Sequence, residues 1–188
     1  MTLPTRTNAI RFLSKVGCSK NVIEHCIVVS NLANAIARAC ERRGVPIDVN
    51  LVEIAPLLHV VGRSVTHDVR HGVIGGALAR ANGFDDRIAR VIETHVGAGI
   101  PEEEAELIGL PKRDFMPETI EEKIVAYADK LIKGRKRIEV DEVLEEFSKM
   151  LGANHPALNR FRNLHREIST LTDSDQLGSS DPRKATEK

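Results

Sequence analysis

Tryptophan is missing from this chain, tyrosine occurs once, and aromatic residues make up 3% of it. Platforms on which bases could stack are therefore scarce, which argues against a nucleic-acid binder. An excess of positive or negative charge is missing too. Lys and Arg total 27 and Asp and Glu total 27, so the formal net charge is zero. A grip on nucleic acid or on an anionic membrane then has no global electrostatic source, only a local patch at most. No apolar run approaches the roughly 20 residues of a membrane span. The segment Met1-Thr2-Leu3-Pro4-Thr5-Arg6 carries no apolar stretch of the signal-peptide kind. The three cysteines, Cys18, Cys26 and Cys40, are odd in number and form no CxxC pair. They are expected to be free thiols in a reducing, cytoplasmic setting. There is no GxxxxGK[ST] phosphate loop, no GxSxG elbow and no zinc-finger spacing. Gly72-Val73-Ile74-Gly75-Gly76 has no strand before it, which excludes a dinucleotide fingerprint.

What is present is helical period almost throughout. Residues 6 to 16 place Ile10, Leu13 and Val16 on one side. Ser19 stands at an N-cap position, and a long helix follows to about Arg43, with Val22, Cys26, Val29, Ala33, Ile36 and Cys40 at helical spacing. Gly44 and Pro46 end it. Asp48 caps a helix that reaches His59, with a kink or early break expected at Pro56. Gly62 opens a loop to Arg70, and a helix from His71 to Ala81 carries Gly75-Gly76, which implies close packing. Asp85 caps a helix to His95. Residues 97 to 116 are expected to be mostly loop, with a short acidic helix after Pro101; connections of that length are often lids or binding loops. Thr119 and Glu122 fit a capping box for a helix to Leu131 or Ile132. Two more helices fit residues 140 to 151 and 155 to 171. No strand alternation and no repeat appears. The expected fold is all-α, a single helical bundle over residues 1–171, followed by a polar, aperiodic and disordered tail over 172–188.

Histidine is the informative residue. Of the 7 histidines, His25, His59, His67, His71 and His95 all fall at or before position 95. Imidazole is a common metal ligand, and helices can aim such ligands inward from several directions. Three segments then resemble a known family: His25 within Val22-Ile23-Glu24-His25-Cys26, His59 within Leu57-Leu58-His59-Val60-Val61-Gly62-Arg63, and Asp129 within Ala126-Tyr127-Ala128-Asp129-Lys130-Leu131. Their order and helical context are similar to the H…HD…D signature of the HD-domain metal-dependent phosphohydrolases, over about residues 20 to 135. The whole chain is most similar to small archaeal-type members of that superfamily. The resemblance implies a divalent metal held by His25, His59 and Asp129, with His71 and His95 as the extra histidines of two-metal members. It implies activation of water against a phosphate ester, as a phosphomonoesterase or phosphodiesterase. One position departs from the pattern: Val60 stands where the family has the doublet aspartate, so a carboxylate ligand is missing. His67-Asp68 is an intact doublet eight residues later, and Asp68 is a candidate substitute ligand or base.

Other candidates attach to that reading. Arg63 is placed to hold a substrate phosphate, or to cap the preceding helix. Glu93, like Glu24, is a candidate acid–base or supporting group. The run Lys130, Lys133, Arg135, Lys136 and Arg137 reads as a solvated helix end complementing the macrodipole, or as a guide for phosphate. The expected function is a metal-dependent phosphohydrolase acting on a phosphorylated small molecule, a nucleotide above all; the alternative is an inactive regulatory module that only binds nucleotide or metal. The ligand chemistry suits Mn, Fe, Co, Ni, Zn or Mg. No membrane or nucleic-acid partner is expected, and a homo-oligomer is compatible with the sequence. Because the tail has too little apolar content to offset its ordering entropy, truncation after Leu171 is expected to leave the melting temperature nearly unchanged, as circular dichroism would read it.

Overall fold

A computed structural model describes residues 3–172; the expected tail lies outside the described residues, apart from Thr172. Helices make up nearly all of the regular structure: α1 (Arg6–Lys15), α2 (Lys20–Arg42), α3 (Val49–Leu58), α4 (His71–Ala81), α5 (Asp86–Thr94), α6 (Glu102–Leu107), α7 (Ile120–Lys130), α8 (Val140–Leu151) and α9 (Pro156–Thr172). A short 3-10 turn, Val61–Ser64, follows α3. Among the described residues no helix is long and apolar enough to cross a membrane.

Local chemistry starts the helices where the sequence implies. Ser19 accepts from Val22 N–H, Asp48 from Leu51 N–H, Asp85 from Arg87 N–H and Thr119 from Glu122 N–H. The capping box at Thr119 is displaced by one residue: the Glu122 carboxylate accepts from Glu118 N–H rather than from Thr119. Pro56 sits inside α3 and does not end it at once; two more helical residues follow. The proline removes one ladder donor, so the carbonyl four residues earlier loses that bond, and the helix continues for only these two residues. Thr172 belongs to α9, its hydroxyl donating to the Ile168 carbonyl at 2.8 Å. Helix α9 therefore runs one residue past the expected helix end at 171.

Of the basic run, Lys130 does end α7, but the residues after it are not a solvated helix end. They form a hairpin of two short strands, β1 (Ile132–Lys133) and β2 (Lys136–Arg137), antiparallel with Ile132 opposite Arg137. Gly134 turns it at φ +63°, a backbone region that suits glycine. The run was too short to show alternation, which is why periodicity missed it.

Two apolar clusters form the core. One gathers α2, α7, α8 and α9 around Val29, Ile36, Ile124, Phe161 and Ile168. The other gathers α1, α3 and α5 around Leu13, Leu57, Ile88 and Ile92. Helices α2 and α7 contribute to both, through Val29 and Cys26 and through Ile124 and Val125. Residues 97–116 do not hang free. Ile100 and Phe115 form an antiparallel bridge, and Phe115 is buried in a small cluster with Ala105 and Leu110.

Glycine sets the closest approaches. A Cβ on Gly75 would sit 2.7 Å from Ile92 Cγ2, and one on Gly72 3.0 Å from Val96 Cγ2, so α4 and α5 pack nearly backbone to backbone. A Cβ on Gly62 would lie 2.0 Å from the His71 carbonyl oxygen and 2.8 Å from the Gly75 nitrogen. Neither backbone group can yield cheaply. Gly62→Ala should lose about 3 kcal/mol of stability and shift the 3-10 turn away from α4, which urea denaturation would measure.

Candidate metal centre

Four histidines share one arrangement. His59 Nδ1 donates to the Pro56 carbonyl at 2.6 Å, His71 Nδ1 to the Asp68 carbonyl at 2.7 Å, and His95 Nδ1 to the Ile92 carbonyl at 2.6 Å. His25 Nδ1 donates to the Gly134 carbonyl at 3.0 Å. A carbonyl oxygen can only accept, so each Nδ1 carries a proton. A neutral ring then presents a bare lone pair at Nε2.

All four Nε2 atoms face inward. His25 Nε2 and His59 Nε2 each lie 3.0 Å from the same Asp129 oxygen, Oδ1. The three ligand atoms lie within 4.8 Å of one another. His71 Nε2 and His95 Nε2 face each other at 3.0 Å, and the His59 and His95 rings join the two pairs at a centroid distance of 4.8 Å. Two lone pairs and an oxyanion converging on one point repel unless a proton or a cation lies among them.

The elements explain the convergence. His59 and His95 are the C-cap residues of α3 and α5, each satisfying a carbonyl in the last turn of its own helix. Asp129 is the penultimate residue of α7. Three helix C-termini thus point their negative ends at the cluster, a field that favours a cation there. The glycine-mediated packing of α4 on α5 brings the first residue of α4, His71, to the last turn of α5. The hairpin turn brings the Gly134 carbonyl to His25, and Arg135 beside it pairs with Glu24 at 3.1 Å.

Protonation follows from burial. Burial pushes His71 down to about 4, with the Arg63 and Lys130 charges adding to it. Burial also lowers His59, against the attraction of Asp129, and holds His95 well below the ordinary value. For Asp129 burial works against the charge; Lys130, His59 and the two imidazole hydrogen bonds outweigh it and keep the carboxyl well below the usual range. Asp129 therefore stays ionised, while His59, His71 and His95 stay neutral at neutral pH. Lys130 Nζ holds the second Asp129 oxygen, Oδ2, at 2.7 Å. Its role is not visible from its place in a basic run, although its position directly after Asp129 was the available signal.

The carboxylates of Asp68 and Glu93 are held away from the cluster. Asp68 does not reach the cluster with its side chain. Its carboxylate is exposed and gripped by Arg70, whose side-chain and backbone hydrogen bonds depress its pKa; only its main-chain carbonyl touches the site, at His71. His67 is exposed as well, so the intact doublet His67-Asp68 is a surface feature. Glu93 is buried but not available as an acid or base. Arg80 and Arg113 each bind it through two hydrogen bonds, between 2.6 and 3.3 Å, and outweigh burial to keep its pKa low. A Cβ on Gly76 would lie 2.6 Å from its Oε1, so the glycine makes room for this clamp. Arg63 is half-buried, close enough for its charge to act on His71. Val60 is 3% exposed and packs within the apolar cluster that also holds Cys26 and Val61.

Comparison with known proteins bears on family and fold. The HD domain family model matches residues 22–134, which include His25, His59, His71, His95 and Asp129. An uncharacterised protein of Methanocaldococcus jannaschii is 50% identical over 154 residues, covering 82% of this chain and 91% of that protein. A tRNA (cytidine(56)-2'-O)-methyltransferase of Thermoplasma volcanium is 38% identical over 173 residues, 92% of this chain and 49% of that protein, so the chain spans about half its length. The crystal structure of the HD domain of the phosphodiesterase PgpH of L. monocytogenes superposes with a TM-score of 0.51 at 14% identity, covering 90% of this chain and 99% of that one. That last likeness is one of fold.

The buried histidines make stability depend on pH. His71 titrates near 6.5 when unfolded and at about 4 when folded, so between those values the unfolded chain binds a proton the folded chain refuses. The metal-free protein should therefore lose stability as pH falls through that window, by about 3 kcal/mol from His71 alone. His59 and His95 act in the same direction, and Asp129 adds to the loss at lower pH. Urea titrations in chelator at neutral and mildly acidic pH would show it, and His71→Asn should flatten the dependence.

Proposed function

The chain belongs to the HD-domain family, and on that premise we propose that it is a metal-dependent phosphohydrolase acting on a nucleotide or a related phosphate ester. The observation that carries this reading is the convergence of His25 Nε2 and His59 Nε2 on Asp129 Oδ1 while both Nδ1 protons are committed to main-chain carbonyls. Two neutral imidazoles and one carboxylate oxygen suit a divalent ion of the Mn, Fe, Co, Ni or Zn kind better than Mg, which prefers oxygen. When bound, such an ion lowers the pKa of its water and stabilises charge on a phosphoryl oxygen.

The chain's own residues supply the rest. The carbonyls of Pro56 and Gly134 hold His59 and His25 in the tautomer that ligates. Lys130 fixes the rotation of the Asp129 carboxylate by binding Oδ2. Arg63, half-buried beside His71, binds the phosphoryl oxygens of the ester. Glu93 and Asp68 take no part in proton transfer, because guanidinium groups hold both as anions. RNA, the substrate class in the name of the Thermoplasma relative, is disfavoured by the zero net charge and the few aromatics.

Val60 favours a second reading, a module that binds metal or nucleotide without turnover. Its side chain is spent on core packing, and no carboxylate at that position offsets the repulsion between two cations held a few ångströms apart. The chain should therefore hold at most one metal ion, weakly, and hydrolyse slowly or not at all. Metal analysis of the chain beside its Val60→Asp and His59→Ala variants, with phosphomonoester and phosphodiester substrates, tests both readings. Val60→Asp should raise metal content and turnover together, by about tenfold or more in affinity, and His59→Ala should abolish both. If the Val60→Asp protein folds and gains neither, the site is not a metal site completed at that position.

A further inference from the structure

Outside the histidine cluster, a groove of about 680 Å³ runs between α9 and the connection from β2 to α8. That volume suits a ligand of nucleotide size. Arg162 and Arg166 line one wall, four residues apart on α9 and therefore stacked on one face. Their hydrogen-bond partners are the side-chain oxygens of Asn159 and Asn163, at 2.9 and 3.2 Å. Amide oxygens neutralise no charge, so both guanidiniums keep theirs among the described residues. The opposite wall carries Glu139 and Asp141, together with Arg137. The floor is apolar, with Leu131 and Leu144 beside the ring of Tyr127. Tyr127 shares a 2.7 Å hydrogen bond with His165 and stacks on it at a centroid distance of 5.8 Å, which makes the floor rigid.

We propose that this groove is a second binding site, for a nucleoside diphosphate. Two cations one helical turn apart match two neighbouring phosphoryl groups, each with its own guanidinium fork. The carboxylates across the groove can accept hydrogen bonds from the sugar hydroxyls, which a bare anion site would not want. The apolar floor between them takes the body of the base. Bare inorganic phosphate would leave the floor and the acidic wall unused. The site is separate from the histidine cluster. Tyr127 and Asp129 are two positions apart on α7, roughly 200° around the helix, so the groove and the cluster lie on different sides of α7. The inference does not depend on the hydrolytic reading.

The single tyrosine and the absence of tryptophan provide the probe, since intrinsic emission comes from the groove floor alone. The full chain, kept in chelator, is titrated with ADP by calorimetry and with inorganic pyrophosphate by tyrosine emission and calorimetry. ADP should bind saturably, more tightly than pyrophosphate, and pyrophosphate should perturb the Tyr127 emission. Arg162→Gln with Arg166→Gln changes two exposed side chains and should weaken ADP binding by about tenfold or more at an unchanged melting temperature. His25→Ala, at the metal centre, should leave ADP affinity unchanged. The proposal fails if ADP does not saturate at millimolar concentration, or if the double variant binds it as tightly as the parent. It fails equally if His25→Ala removes the binding, and pyrophosphate binding as tightly as ADP would overturn the nucleoside assignment.

Discussion

Four imidazole rings point their proton-bearing nitrogen at main-chain carbonyls and their bare nitrogen inward, two at the Asp129 carboxylate and two at each other. The rest of the site depends on that commitment. With the Nδ1 protons fixed outward at His25, His59, His71 and His95, no ring can donate inward while neutral. Burial keeps His59, His71 and His95 neutral. Asp129 then brings a full negative charge to the two lone pairs of His25 and His59. Such a cluster is poor as a self-contained hydrogen-bond network and well suited to a cation. Lys130, bound to the second carboxylate oxygen, supplies part of the balancing charge and leaves Oδ1 to the histidines.

Holding His59 and His95 this way costs the fold little, because the carbonyls they satisfy lie in the last turns of α3 and α5, where helix ends leave them unpaired. His59 and His95 cap the last turns of α3 and α5. The same side chains thus terminate helices and face the site. Glycine does the rest of the positioning. Gly62, Gly72 and Gly75 let the 3-10 turn, α4 and α5 approach to distances that any side chain would block, and this brings His71 to His95. The apolar clusters on either side share α2 and α7, so a shift of either helix would disturb both the core and the carboxylate.

Acidic residues near the cluster are spent on structure. Glu93 is neutralised by Arg80 and Arg113 and ties the 97–116 segment to α5, since Arg113 also lies over the Phe115 ring at 4.4 Å. Asp68 is neutralised by Arg70. Buried or not, a carboxylate gripped by guanidinium stays ionised and loses its use as a proton carrier. Asp129 is the carboxylate that remains turned toward the imidazoles.

Much of this was legible in the residues themselves. Helical period, N-caps at Ser19, Asp48, Asp85 and Thr119, and the histidine and aspartate contexts are local patterns, so α1 to α9 and the ligand candidates could be read along the chain. Partnerships were not legible. His25 meets the Gly134 carbonyl across 109 positions and Asp129 across 104. Glu93 meets Arg80 and Arg113 only because α4 packs on α5 and a long segment folds back. Asp68 looked like a spare ligand because its neighbour in sequence is a histidine, yet the loop turns its carboxylate to Arg70 and its carbonyl to His71. The sequence alone determined which side chains could ligate, since that is a property of residue type and helical phase. Tertiary structure decided which of them share one cation's space, because that depends on helix ends meeting at contact distance, and the backbone-to-backbone approach that permits it involves residues far apart in the chain.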